Sequence, residues 1–421
     1  MAAATKTAAT AATVAADFIP RTIFEVSPQI TRSYFLGHHT AALSSMRKTL
    51  SNIGLVLECR DSRVPLTSGN PLLESCLAGR ERIIVYTKAD LCAPASANRW
   101  MGKQQRLLEG YFAAGTSTSA ISNLGVGSGV DASGGDRVGA VGAVGGRTEV
   151  IFTDERNARS VSRLLDAIKS RAAAHDSLIG LRALVVGMPN AGKSTLLNAL
   201  RRVGMRLPSA ARTGAQPGIT RKLSTPVRIV APTSPSPTSP TSAHTDSQDV
   251  GEGVFVVDTP GVFIPYVSNP ESMLKLSLVG CIKDGLVPSL TVADYLLFHL
   301  NLHSPTLYSS LSAPTNDVHA FLDSIALRTG KLLKGGIPAR EQAADWVIQQ
   351  WRKGALGRFG LDDVSEEGLQ ERARQRVLQR LGEVEGGGNG SLSMNQARKR
   401  EKEARKARSA AKRAAALDLG G

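Results

Sequence analysis

Cysteine, acidic residues and long apolar runs are all scarce in this chain, and each scarcity narrows what it can be. The four cysteines (Cys59, Cys76, Cys92, Cys281) have neither metal-ligand spacing nor the density of a disulfide framework, so they fit a reducing compartment. No stretch approaches the roughly 20 consecutive apolar residues of a membrane span. Asp and Glu number 36 against 51 Lys and Arg, giving a formal charge of +15 and a pI near 9.9, which favours a polyanionic partner. With 421 residues, 42% of them apolar, there is material for sizeable cores in two or three domains.

What is present is organised around Gly187-Met188-Pro189-Asn190-Ala191-Gly192-Lys193-Ser194, a full match to the G-x-x-x-x-G-K-[ST] phosphate loop. Leu181 to Val186 before it is apolar and of strand length, and Thr195 to Arg202 after it reads as the start of a helix. The chemistry needs this arrangement. Backbone N–H groups of Pro189–Thr195 wrap phosphate oxygens, except at the proline, and the helix N-terminus adds its positive end. Lys193 reaches the β- and γ-phosphates, and the Ser194 hydroxyl sits on Mg²⁺.

Along the chain, residues 1–25 are rich in Ala and Thr, consistent either with an organellar transit peptide or with a disordered end that carries no address. Strands are expected at Ile53–Cys59, Arg82–Tyr86, Val150–Thr153, Pro226–Val230 and Val254–Val257, besides the one entering the phosphate loop. Helices are expected at Trp100–Phe112 and Arg159–Ala174. Two biased stretches, 114–147 (Gly/Ser/Ala/Val) and 231–250 (Pro/Ser/Thr), read as disordered insertions. After Pro270 the pattern becomes helical: Val292, Tyr295, Leu296 and His299 fall at i, i+3, i+4 and i+7, as do Val318, Phe321, Leu322 and Ile325. These stripes, with their histidine and the tryptophans of the following segment, are read as core. The domains are therefore 26–265, then a helical domain 266–382, then 383–421 as linker and basic tail. From 398 to 413 that tail holds nine Lys/Arg and two acids with no aromatic, so it suits RNA phosphates rather than bases.

Three further elements complete a guanine-nucleotide site. Asp258-Thr259-Pro260-Gly261 fits D-x-x-G at a strand end, with Asp258 holding Mg²⁺ through water and the Gly261 N–H on the γ-phosphate. Thr220 is placed to be the second hydroxyl ligand of Mg²⁺. Thr87-Lys88-Ala89-Asp90 fits the base-reading [NT]-K-x-D element, in which the Asp90 carboxylate accepts from two guanine N–H donors that adenine cannot offer. Thr153, at the end of the next strand, is counted with the nucleotide-binding residues. The order is unusual, because T-K-A-D precedes the phosphate loop by about a hundred residues. The six strands still build one mostly parallel sheet, helices on both faces, if the chain is circularly permuted. That arrangement is tolerable because domain termini usually lie close together at the surface. The fold class is thus a circularly permuted P-loop GTPase followed by a small all-helical domain.

That order, with GHH at 37–39, RDSRVP at 60–65, GNP at 69–71, TKAD, GMPNAGKS, PGITR and DTPG, resembles the circularly permuted ribosome-assembly GTPases. Within them it is most similar to the branch holding mitochondrial GTPase 1 and the bacterial ribosome biogenesis GTPase A. The resemblance runs from about residue 30 to 355. It implies GTP hydrolysis coupled to late maturation of the large ribosomal subunit, with rRNA and ribosomal proteins as partners. Together with the N-terminus it implies a mitochondrial location, in the matrix and with peripheral inner-membrane association left open. The chain departs from the family at Gly37-His38-His39 (usually G-H-M) and Asp61-Ser62-Arg63-Val64-Pro65 (usually D-A-R-x-P). Val262 follows D-x-x-G where many GTPases carry a water-orienting glutamine, so slow intrinsic hydrolysis is expected and the catalytic group is sought elsewhere. His38, a K⁺ bound with help from Asn190, and the ribosome are the candidates. The competing readings are a cytosolic, nucleolar or bacterial assembly GTPase, and a signalling or membrane-surface GTPase. No lipidation signal supports the last.

Overall fold

Each strand is a short run of β-branched and aliphatic residues with both faces covered, the pattern of a parallel sheet packed between helices. The computed structural model describes residues 18–27, 30, 49–93, 97–114, 148–175, 180–211, 214, 224–232, 250–262, 264, 267 and 269–385. His38 and its GHH segment, Thr220 within 217–221, both biased insertions apart from their ends, and the linker and tail from 386 lie outside these residues.

The chain order is β1 (Leu55–Asp61), α1 (Pro71–Cys76), β2 (Arg82–Thr87), α2 (Ala89–Cys92), α3 (Asn98–Ala114), β3 (Thr148–Phe152), α4 (Ala158–Ala174), β4 (Leu181–Gly187), α5 (Lys193–Met205), β5 (Val227–Val230) and β6 (Val254–Asp258). These strands form one sheet in the order β3-β2-β1-β4-β6-β5, parallel except for the antiparallel β5–β6 pair. Alternate residues feed two cores. Leu55, Leu57 and Val185 pack with Leu164 and Ile168 of α4 and Leu196 and Leu200 of α5, whereas Val56, Leu184 and Val186 pack with Leu73 and Leu77 on the opposite face. The order reverses between β1 and β4, so their C-terminal ends flank the crevice where open α/β sheets place ligands.

Helices follow: α6 (Pro270–Val279), α7 (Ser289–His303), a 3₁₀ turn (Pro305–Tyr308), α8 (Val318–Thr329) and α9 (Arg340–Arg352). Their ends carry local signals. The side chains of Asn269 and Asp317 accept backbone N–H bonds at the starts of α6 and α8, and Gly280 and Gly330 close those helices in the left-handed conformation. The two stripes are buried apart from half-buried His299 and Val318, and of the tryptophans in α9 Trp351 is 1% exposed while Trp346 is half-buried. The sheet and α1–α9 belong to one compact unit ending at Val364, and α10 (Glu366–Glu385) belongs to a second. The N-terminal segment is part of the first unit. Arg21 pairs with Asp294 at 2.6 Å, Ile19 O accepts from Asn316, and Phe24 meets Tyr295 edge-on at 5.1 Å. Among the described residues no helix is long and apolar enough to cross a membrane.

His299 in α7 sits between Tyr295 and Phe298, with ring centroids 4.6 and 5.3 Å away. Burial, then the charges of Lys275 and His303, push its imidazole down to about 3. An unfolded histidine titrates near about 6.5. The folded state therefore binds the proton less readily, and the stability this gives is complete above that pH and is lost as pH falls towards 3. His299→Leu should flatten the acid limb, sparing roughly 1–3 kcal/mol at pH 4 relative to pH 7. Urea unfolding of both proteins at the two pH values checks this, and parallel losses would contradict it.

Candidate functional site

Every described element of the expected site lies at the C-terminal edge of the sheet. β4 delivers the phosphate loop, β6 delivers Asp258-Thr259-Pro260-Gly261, β2 delivers Thr87-Lys88-Ala89-Asp90, and β3 ends beside Thr153. The loop turns because Asn190 (φ 55°) and Gly192 (φ 77°) are left-handed. A Cβ on Gly192 would also stand 3.1 Å from the Thr87 hydroxyl, and one on Gly261 would overlap Pro189 at 2.7 Å. Glycine is thus what lets the base-reading and D-x-x-G segments close on the phosphate loop.

The permuted segments touch directly. The Thr87 hydroxyl donates to Ala191 O at 2.9 Å, and Lys88 Nζ donates to Asn190 O at 2.7 Å. Thr87 is buried, and that hydroxyl bond braces the phosphate loop. Asp90 lies in the first turn of α2 and is half-buried. Burial and then the charge of Asp154 raise its carboxyl, while Arg156 and Arg358 oppose them. Thr153 is buried, its N–H donates to Tyr86 O at 2.7 Å, and its hydroxyl has no hydrogen-bond partner among the described residues.

Lys193 is the first residue of α5, 7% exposed, with Nζ turned back onto Met188 O at 2.8 Å. Burial lowers its ammonium, against the opposing pull of Asp258 and Cys59. Ser194 Oγ donates to Asp258 Oδ2 at 2.6 Å, and burial raises the Asp258 carboxyl against that bond and the Lys193 charge. Asp258 Oδ1 is buried and meets no donor among the described residues. A hydroxyl and a carboxylate held together, with one carboxylate oxygen unsatisfied, are oxygen donors suited to a hard divalent cation such as Mg²⁺. Val262 is 2% exposed and packs in the core with Leu73 and Leu184, so its side chain belongs to the fold and orients no water. Its N–H donates to Gly187 O at 3.1 Å, and its carbonyl accepts from Asn70 Nδ2 at 3.1 Å. Asn190 Nδ2 donates to Gly280 O at 2.8 Å, tying the phosphate loop to the end of α6.

Several residues that shape the site were not singled out for it by sequence reasoning. Asp61, fully buried, accepts from Lys88 Nζ at 2.8 Å and from both Nε and Nη2 of Arg63 at 2.9 and 2.8 Å. Burial alone would raise its carboxyl, but Arg63 and Lys88 hold it well below the carboxylate range. The Arg63 guanidinium lies 4.9 Å from the Trp351 ring centroid, and the Asp362 carboxylate accepts from Leu66 N, Thr67 N and the Thr67 hydroxyl at 2.9, 2.7 and 2.6 Å. The available signal was Arg60-Asp61-Ser62-Arg63 closing an apolar strand, where charge survives burial only if paired.

Known proteins resemble this chain over most of its length. A family profile described as "50S ribosome-binding GTPase" matches residues 182–301. Mitochondrial GTPase 1 of Schizosaccharomyces pombe is 36% identical over 360 residues, spanning 84% of this chain and 95% of that protein. Mitochondrial ribosome-associated GTPase 1 of Xenopus tropicalis is 28% identical over 361 residues, spanning 81% and 98% respectively. Ribosome biogenesis GTPase A of Priestia megaterium is 27% identical over 340 residues, spanning 80% and 98%.

Proposed function

The chain belongs to the mitochondrial GTPase 1 family of circularly permuted GTPases, and from that premise we propose that its GTP hydrolysis drives a binding-and-release cycle on precursors of the mitochondrial large ribosomal subunit. The observation that carries the nucleotide part is the bracing of the phosphate loop by Thr87 and Lys88, at 2.9 and 2.7 Å across a hundred residues of chain. The ribosomal and mitochondrial parts are supported by the names of the relatives.

In this reading Asp90 selects guanine, with Thr87, Lys88 and Thr153 shaping the base pocket. The backbone from Pro189 to Thr195 and the Gly261 N–H hold phosphate oxygens, and Lys193 neutralises charge on the transferring phosphoryl. Ser194 and Asp258, the latter through water, would hold Mg²⁺, which supplies charge stabilisation at the β- and γ-phosphates. Thr220 would complete that set. Because Val262 cannot orient water, the hydrolytic water needs another partner: His38, the ribosomal particle, or the charge of a K⁺ held with help from Asn190. Loss of the γ-phosphate is felt by the helical region through the segment after Gly261 and through the Asn190–Gly280 bond.

The partners proposed are rRNA and ribosomal proteins of the large-subunit precursor in the mitochondrial matrix, with any inner-membrane association peripheral. A cleaved leader would end before Ile19, since residues 19–24 are built into the helical region. The basic tail is proposed to bind RNA phosphates, releasing counterions. The test is co-sedimentation of tagged protein with mitochondrial ribosomal particles. Binding to a large-subunit precursor should be strong with a GTP analogue and weak with GDP. Deleting 391–421 should weaken it and flatten its dependence on KCl. Identical salt curves would reduce the tail to a solubility device, and equal binding in both nucleotide states would remove the switch.

A further inference from the structure

The segment Asp61-Ser62-Arg63 lies behind the base-reading loop and holds it at three points. Asp61 Oδ2 accepts from Lys88 Nζ at 2.8 Å, Ser62 N donates to Thr87 O at 3.1 Å, and Ser62 Oγ donates to Lys88 O at 2.8 Å. The loop needs holding. Lys88 has φ 57°, a left-handed conformation that residues with a Cβ keep only when their surroundings enforce it. On its far side Lys88 is pinned to Asn190 O of the phosphate loop at 2.7 Å. The clamp is itself anchored in the helical region: Arg63 lies over Trp351 at 4.9 Å, and Arg63 O accepts from Leu361 N at 2.7 Å.

We propose that Asp61 and Ser62 are positioning residues for guanine recognition. They fix the charge and the carbonyl of Lys88, so that Asp90, two residues on, is already aimed when the base arrives. Preorganisation of this kind raises affinity by removing the cost of ordering the loop on binding. The departure from D-A-R-x-P acquires a function here, because serine adds a hydroxyl that alanine lacks and that hydroxyl grips Lys88. Arg63 has a different part. It neutralises Asp61 and ties the clamp to the helices, and, being a donor like Lys88, it makes no hydrogen bond to Lys88. The inference rests on the reading of Thr87–Asp90 as the base loop.

The two roles separate by substitution in the full chain, with fluorescent GDP titration and urea unfolding as readouts. Arg63→Met should lower stability yet hold GDP affinity within about threefold, because the Asp61–Lys88 bond survives. Asp61→Asn combined with Arg63→Met removes both charges of the fully buried pair, leaves Lys88 (20% exposed) with only its bond to Asn190 O and a neutral amide in place of its carboxylate, and should weaken GDP about 10- to 100-fold, the worth of a charge-assisted hydrogen bond. In a Lys88→Met background the same pair of changes should cost no further affinity, since the bond they break is already gone. A merely structural role would give the same loss in both backgrounds and would overturn the proposal. So would wild-type affinity in the Asp61→Asn/Arg63→Met protein. Unchanged GDP binding by Lys88→Met alone would instead overturn the base-loop reading beneath it. Ser62→Ala touches no charge and so tests the clamp even if the charge variants fail to fold. It should weaken GDP roughly 2- to 10-fold, the range of one neutral hydrogen bond, and wild-type affinity there would contradict the Ser62 assignment.

Discussion

Lys193→Ala should reduce GTP and GDP affinity by at least about 100-fold while leaving the nucleotide-free protein as stable as wild type, or more so. The two halves have one cause. A unit charge about 4 Å from an anion at an effective dielectric near 20 is worth roughly 4 kcal/mol, two to three decades of affinity. In the structure that charge is 7% exposed, donates among the described residues to one carbonyl of its own loop, and is disfavoured by burial. The fold therefore carries a desolvated ammonium, and removing it relieves the free protein of that burial cost. Calorimetric titration with each nucleotide and thermal unfolding of the free protein test both halves. Wild-type affinity in the variant would make the phosphate loop a structural turn.

Asp90→Asn should exchange the base preference. A carboxylate offers two acceptors to the two N–H donors on one edge of guanine. Asparagine offers one acceptor and one donor, which suits xanthine, where a carbonyl replaces the amino group. A buried polar site rejects a ligand that leaves its groups unpaired by large factors, so GTP affinity should fall roughly 10²- to 10⁴-fold and xanthosine triphosphate affinity should rise. Asp90 is half-buried and its carboxyl is raised by burial and by Asp154, so removing the charge should cost the free protein little. Competition binding with GTP, xanthosine triphosphate and ATP reads the result. Wild-type protein that binds ATP as well as GTP would defeat the assignment.

Local sequence carried most of the candidate nucleotide site because its proposed parts are local. The phosphate loop needs glycines at fixed offsets, and D-x-x-G and T-K-x-D each span four residues at a strand end. Their order also carried the permutation, since only a rearranged sheet brings residue 88 beside residue 190. Strand ends were less legible. Asp61 and Asp258 read as loop residues, but backbone pairing with β2 and β4 draws them into strands. α1 and α2 were missed because at six and four residues they are too short to show a helical period. Nor did sequence reveal that Asp61 belongs to Lys88, that Arg63 lies over Trp351, or that Asp362 clamps Thr67. The last of these joins residues 295 apart in the chain, and no periodicity encodes such a pairing.

On the function proposed here, GTP hydrolysis is slow in the chain alone and awaits a ribosomal partner. The most direct test is the rate of GTP hydrolysis by the full chain, measured alone and with purified mitochondrial large-subunit precursor particles, in KCl and again in NaCl. With the Val262 side chain buried in the core, the protein alone should turn over slowly. The particles should raise its rate at least about tenfold, a modest share of the 10³–10⁵ range that a supplied catalytic group can give. The rate should be higher in KCl. Equal rates in the two salts would remove the cation, and the same rate with and without particles would contradict the account as a whole.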